Sequence, residues 1–305
     1  MRVRILGALV LGVLAEGCSG CDDEPLADVA PASAPASAPA SAPASAPVAL
    51  ATIVSQRGKV EVQRTVGDRK SEWSAVNVGD RLDVTDAIRT SDDGEVDIAV
   101  NEVKLRIHER SEFAVKKLSD SVIRGRLTGR LESQVTEGKG QVEVEAAGSD
   151  AVVRTEGGHF SMISNGRGVV AVANISGAVS IAAKGKTVNL GAGQVSHLKS
   201  TGTPDKARAL KNVLLAVEWP GAKITNRTLV AIKGKVEIGS RLTIQGRPIE
   251  ADDNGVFTAQ VELRPGRQEL AVVATDVLGR KKRVASAFTH DAKAPNVKLK
   301  EKLWR

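Results

Sequence analysis

The sequence predicts an all-β protein, and three observations predict it. Residues 138–198 read GKGQVEVEAAGSDAVVRTEGGHFSMISNGRGVVAVANISGAVSIAAKGKTVNLGAGQVSHL. Short runs of alternating apolar and polar residues there are cut by glycine-bearing turns about every eight to ten residues. The composition is the second observation: with no tyrosine, four phenylalanines and three tryptophans, the core must be mostly Val, Ala, Leu and Ile, and small β-branched cores suit strands. Third, Gly, any residue, Val, an acid or serine, then Val or Ile recurs as GKVEV at 58, GEVDI at 94, GQVEV at 140, GAVSI at 177 and GKVEI at 234. The intervals are too irregular for a tandem repeat, and the pattern reads as glycine for a turn, apolar residues inward and charged residues outward.

The N-terminus reads as export machinery. Residues 1–21 place Arg2 and Arg4 before the apolar stretch ILGALVLGVLA, the layout of a signal peptide. Eleven apolar residues are too few for a resident span, which needs about 20. AEGCSGCDD follows and resembles the lipoprotein cleavage box, so Cys18, or alternatively Cys21, is the expected lipid attachment site. Both cysteines lie here, leaving no disulfide framework and no Cys-based metal site in the body. Residues 22–50 carry PASA four times from Pro31 to Ala46; regular prolines forbid helix and sheet, and Ala and Ser offer little to bury, so the segment is expected to be a semi-extended tether.

Residues 51–200 form the expected first domain. The order G-x-V-x-V at 58, Trp73, VGDRLDVTDAIRTSDDGEVDIAV, SEFAV, EGKGQVEV, VVRTEGGHFSMI, ISGAVSI and VNLGAGQ is similar to the periplasmic domain of the FecR family of envelope proteins. The resemblance covers about half the chain and implies a solenoid-like or rolled all-β fold that binds rather than catalyses. Studied members of that family place a cytoplasmic anti-sigma segment and a membrane-spanning helix before this domain. This sequence shows neither, so it is not expected to carry a signal to a sigma factor itself.

Sharper readings of single residues give way to structural ones. Gly185-Lys186-Thr187 lacks the earlier glycine of a phosphate loop and reads as a hairpin turn. His108, His159 and His197 stand one to a strand without ligand spacing, and read as surface or edge residues with no metal. Trp73 is expected to plug the core, with a sugar-stacking role as the alternative. No catalytic residue and no cofactor is expected.

Residues 201–218 form a connector in which Thr203-Pro204-Asp205 signals a helix start, although Val213 to Glu218 fits a strand equally. Period-two alternation resumes over residues 219–292 as a small β-sandwich, and DNGVF and PGRQELAVVATD resemble bacterial immunoglobulin-like modules. Asp252-Asp253-Asn254-Gly255 lacks the glutamate of a calcium loop, since Val261 stands at its twelfth position, and reads as a turn. From Trp219 to the end there are 17 Lys and Arg against 9 Asp and Glu. Arg280, Lys281, Lys282 and Arg283, with Lys298, Lys300 and Lys302 of the basic tail 293–305, are therefore the expected contacts to an anionic surface.

These readings converge on an exported, lipid-anchored, non-enzymatic binding or scaffolding protein of the cell envelope, facing the periplasm or cell surface. The expected partner is an envelope protein or an anionic envelope polymer, not nucleic acid. A carbohydrate or peptidoglycan binder is the alternative, disfavoured by the scarcity of aromatic platforms, and a cell-surface signalling accessory protein is a further one. Replacing both Cys18 and Cys21 with serine is expected to release the protein from the membrane fraction, and unchanged sedimentation with membranes would refute the lipid anchor.

Overall fold

In the computed structural model, residues 51–67 and 69–291 are described, and they form strands, turns and loops with no helix. The leader with Cys18 and Cys21, the tether, and the tail with Lys298, Lys300 and Lys302 lie outside the described residues.

Fifteen strands make one large mixed sheet, running from the edge strand Arg208–Ala209 to the edge strand Ser74–Ala75. Alternation builds it as expected: in Val103–Ile107 the residues Val103, Leu105 and Ile107 are buried while Lys104 and Arg106 are exposed. The glycine-led copies all fall on strands, with Val60 and Val62, Val96 and Ile98, Val142 and Val144, and Val179 and Ile181 facing one core. Most pairings are antiparallel; Val122–Leu127 runs parallel to Gln141–Ala146.

The strands are longer than the glycine spacing suggests. Val122–Val135, Val152–Ser164 and Val170–Ala183 are 13 or 14 residues each, and glycines expected in hairpin turns lie within them. Val152–Ser164 pairs first with Gln141–Ala146 and then, beyond Gly157 and Gly158, with Val122–Val135. Gly158 has φ +142 and faces Gly177, at φ +75, across the ladder, where the register slips. Glycine-rich bulges let a strand exchange partners without ending, and Val152–Ser164 does so here.

Residues 213–290 build two further sheets. Leu215–Glu218, Leu229–Val236 and Val256–Glu262 form one; Ile224–Thr225, Lys281–His290, Gly266–Thr275, Arg241–Ile244 and Arg247–Ile249 form the other. A single apolar core, with Ile232, Phe257, Leu270, Val272 and Phe288, lies between them. The Asp252 turn closes as expected: Asp252 Oδ1 accepts from the backbone N–H groups of Asn254 and Val256, each at 2.8 Å.

Two expectations are corrected. The connector contains no helix: the Asp205 N–H donates to the His197 carbonyl at 2.9 Å, and Leu215–Glu218 pairs with Leu229–Val236. Strand partners thus take the backbone groups that a helix would have used, overriding local propensity. Trp73 is absent from the large core; it is half-buried, with the Arg89 guanidinium 4.3 Å from the ring centroid.

Both cores also use a glycine to seat a phenylalanine. A Cβ at Gly125 would lie 2.1 Å from the Phe113 ring, and one at Gly234 would lie 2.6 Å from Phe257 and 2.3 Å from the Ala216 carbonyl oxygen. Gly234 is therefore a mid-strand packing residue instead of the turn its motif suggests. Gly125→Ala is expected to destabilise the protein by about 1–3 kcal/mol through overpacking, measured by urea unfolding; an unchanged midpoint would show that Phe113 yields freely.

Candidate functional site

The outer face of the large sheet holds the chemistry. Period two buries Leu131, Ser133 and Val135 while turning Arg130, Glu132 and Gln134 outward, and it turns His159, Ser161 and Ile163 outward opposite the buried Phe160 and Met162. One part of this face is apolar and covered. Ile163, Ala171, Ala173 and Val195 pack against Val277 and Leu278 from the second pair of sheets.

Arginines close this junction. Arg130 Nε donates to the Val277 carbonyl at 3.1 Å, and the Ser161 hydroxyl donates to the same oxygen. From the other side, Arg241 donates to the Glu109 carbonyl at 2.6 Å, the Arg110 carbonyl at 3.1 Å and Ser111 Oγ at 3.0 Å. Burial lowers the Arg241 pKa to about 10, with Arg130 and Arg110 adding to the effect and Glu109 opposing it. Arg130 is lowered too, by burial first, with Glu132 the largest opposing charge. Two glycines permit the approach: a Cβ at Gly239 would meet Ala171 Cβ at 2.6 Å, and one at Gly279 would meet the Arg130 guanidinium at 2.7 Å.

His197 belongs to the same junction. Its Nδ1 accepts from Arg208 at 3.0 Å, which leaves the proton on Nε2, 3.7 Å from Glu237 Oε1. Burial, reinforced by Arg208, brings its pKa down to about 4. The nearby Glu237 carboxylate does not reverse this, because it is already engaged by Arg208 at 2.7 Å.

Beyond the junction the face is open and polar. Glu95, His108, Glu132 and His159 follow one another across four strands: Glu95 Oε2 is 3.1 Å from His108 Nδ1, His108 Nε2 is 3.5 Å from Glu132 Oε2, and Glu132 Oε1 is 2.6 Å from His159 Nε2. At 3.5 Å from Glu132, His108 Nε2 is in contact without a proper hydrogen bond. Glu132 is held down to about 2, chiefly by His108, with burial opposing and His159 and Arg130 assisting. A groove of about 300 Å³ opens beside it, lined by Asp97, Lys104, Arg106, Glu132 and His159 among others. A second cavity, of about 210 Å³, lies at the junction itself and is lined by Arg110, Arg167, Ser240, Arg241 and Leu242 among others.

Chemically, the open row is a charge-complementary surface. The two imidazoles reach different oxygens of Glu132, so the carboxylate bridges them. Among the described residues no group of three His, Cys, Asp or Glu is placed to hold a metal ion. No hydroxyl or thiol lines the larger groove.

The cationic run at 280–283 is dispersed. Arg280 sits in a turn with Nε 2.7 Å from Asp276 Oδ2 and donates to the Lys211 carbonyl at 2.6 Å. The strand Lys281–His290 begins next, so alternation sends Lys281 and Arg283 to one face and Lys282 to the other. Arg283 pairs with Glu269, leaving Lys281 and Lys282 exposed without an ion pair. Conversely, His108 and His197, expected at surfaces or edges, are buried, and Arg130 and Arg241 were not singled out. Alternation could have placed Arg130, Glu132 and His159 on outward positions. Their meeting depends on pairings between distant segments, which alternation does not reveal.

No family model matches the chain, and no curated protein does. Among solved structures, two crystal structures of a candidate anti-sigma factor from Parabacteroides distasonis align at 12% identity over 40% of this chain, each with a TM-score of 0.35. The aligned part spans 59% of that protein's length. A polysaccharide lyase aligns at 8% identity over 81% of this chain and 40% of its own, with a TM-score of 0.21. Scores this low carry no argument for shared architecture or activity. No helix among the described residues is long and apolar enough to cross a membrane.

His197 and Glu132 are the most strongly lowered of the groups that titrate in acid; Glu61, Asp92, Asp93 and Glu143 are lowered as well and share the lower limb of the acid response with Glu132. His197 has a folded pKa near 4 against 6.5, so the stability it contributes is present above pH 6.5 and lost as pH falls towards 4. Glu132, near 2 against 4.5, contributes stability present above pH 4.5 and lost as pH falls towards 2. His197→Asn, whose amide oxygen can still accept from Arg208, is expected to flatten the upper limb of a stability-against-pH curve, removing up to about 3 kcal/mol of pH dependence. Glu132→Gln is expected to flatten the lower limb in part. Urea midpoints from pH 8 to 2 check both, and a wild-type curve that is level between pH 6.5 and 4 would contradict the first.

Proposed function

We propose that this chain is a non-enzymatic binding or scaffolding protein of the cell envelope, exported and held to a membrane through Cys18 or Cys21. In this reading residues 51–200 are a FecR-like rolled β domain and residues 219–292 an immunoglobulin-like sandwich. One observation carries the binding role: Arg130, buried, and Arg241, partly buried, lock the second β body onto the outer face of the first, so that the chain presents one stiff, partly polar surface. A stiff block on a tether presents a surface at low ordering cost, which favours docking.

A discrete protein partner suits this surface better than an anionic polymer. Arg280 and Arg283 are spent on internal pairs, which leaves Lys281 and Lys282 on opposite faces of a strand. A sugar ligand is also less suited. Trp73 is capped by Arg89, and Trp219 packs on Phe288 with ring centroids 5.8 Å apart; neither ring lines the two larger cavities. An accessory role in cell-surface signalling is one form the protein-binding reading could take.

Cross-linking of the full chain in intact envelopes, followed by affinity recovery, tests the proposal. One discrete protein adduct is expected, lost on charge reversal at Glu95 and Glu132. Recovery of polysaccharide alone, or of no adduct, would overturn the protein-binding reading.

A further inference from the structure

We infer that the junctional cavity is a binding site for a small organic monoanion, a carboxylate carried on a short aliphatic body. The cavity of about 210 Å³ has the volume of about seven waters at ~30 Å³ each, which suits a ligand of roughly that number of heavy atoms. It lies where two β bodies meet, a usual place for ligand pockets. Its walls are two-sided: Ile163, Val169, Leu242 and Ile249 on the apolar side, Arg110, Arg167 and Arg241 on the polar side.

The donor and acceptor inventory sets the ligand's polarity. Arg167 engages only Glu250, through one terminal nitrogen at 2.6 Å. Arg110 spends Nε on Asp92 and one terminal nitrogen on the Gly246 carbonyl, leaving its other terminal nitrogen unengaged. Arg241 leaves Nε unengaged. The acids of the lining are partly committed: Glu250 Oε2 to Arg167, and Asp252 Oδ1 to two backbone N–H groups of its own turn, which leaves one oxygen of each against the more numerous guanidinium N–H groups. Unused donors therefore exceed unused acceptors, and a ligand that supplies acceptors answers the deficit. A carboxylate does so in the geometry that a guanidinium fork prefers.

Charge narrows the choice to a monoanion. Arg110, Arg167 and Arg241 face Glu250 and Asp252 in the lining, one positive charge in excess. Asp92 and Glu109, outside the lining, pair with Arg110 and Arg241 as well, which brings the local balance to three cations against four anions, so a phosphate dianion meets about twice the repulsion that a single carboxylate does. The aliphatic body would then lie against Ile163, Val169 and Leu242. This site stands apart from the proposed envelope role, since it requires neither anchor nor partner, and failure of one leaves the other intact.

Titration calorimetry on the purified full chain at pH 7.5 tests it, with hexanoate, hexan-1-ol and inorganic phosphate as probes. Hexanoate is expected to bind one to one and the other two to bind at least tenfold more weakly. Arg167→Gln is expected to weaken hexanoate at least tenfold; the Arg167 side chain is 57% exposed, so this variant should fold normally. Ala251→Leu, which fills the cavity from its wall, is expected to abolish binding. Equal binding of hexanoate and hexan-1-ol, tighter binding of phosphate, or an unchanged hexanoate affinity in Arg167→Gln would each overturn the assignment.

Discussion

A buried guanidinium, that of Arg130, and a partly buried one, that of Arg241, are the constraint on which the rest of the molecule depends. An arginine removed from water loses hydration that only well-placed acceptors restore, and Arg130 and Arg241 find most of those acceptors on backbone carbonyls across the junction. Each body therefore supplies a cation that the other satisfies. Separating the bodies would leave the Val277 and Glu109 carbonyls to water and expose the apolar cluster around Ile163, Ala171 and Val277. Geometry that satisfies a buried charge is narrow, so the clamp fixes orientation more than it adds stability. Gly239 and Gly279 show how close the fit is, since neither position has room for a methyl group.

What the clamp covers and what it leaves open follow from one strand parity. Outward positions on Val122–Val135 and Val152–Ser164 run from apolar to polar along the sheet, from Ile163 through Ser161 and Arg130 to Glu132 and His159. The second body sits on the apolar end. The polar end is left part-exposed at Glu95, Glu132 and His159, with His108 buried among them, and the carboxylate and imidazole atoms of this row lie 2.6–3.5 Å apart.

Much of the architecture was legible in the sequence, because it rests on local rules. Alternation around Val103, Leu105 and Ile107 and the side-chain turn at Asp252 need only near neighbours, and both form as read. Three kinds of feature were not legible. Gly158 and Gly177 look like turn residues in isolation; only their pairing across the ladder makes them a register slip inside long strands. The connector's helix signal is genuine locally, and it loses to partners eight residues upstream, at His197, and 15 to 21 residues downstream, at Lys233 to Val236. The cationic run at 280–283 is contiguous in sequence, but a strand beginning at Lys281 splits it between two faces.

The least legible residues are those that matter most at the candidate site, and the reason is physical. Glu132 lies 3.5 Å from His108, 2.6 Å from His159 and 3.6 Å from Arg130, residues drawn from three segments that a reader meets separately. Its charge serves two purposes at once: it holds the imidazole row together, and it is the largest charge offsetting the burial of Arg130. Arg130 in turn holds the Val277 carbonyl. The polar row and the junction are therefore joined through one carboxylate, Glu132, which contacts the imidazoles on one side and Arg130 on the other.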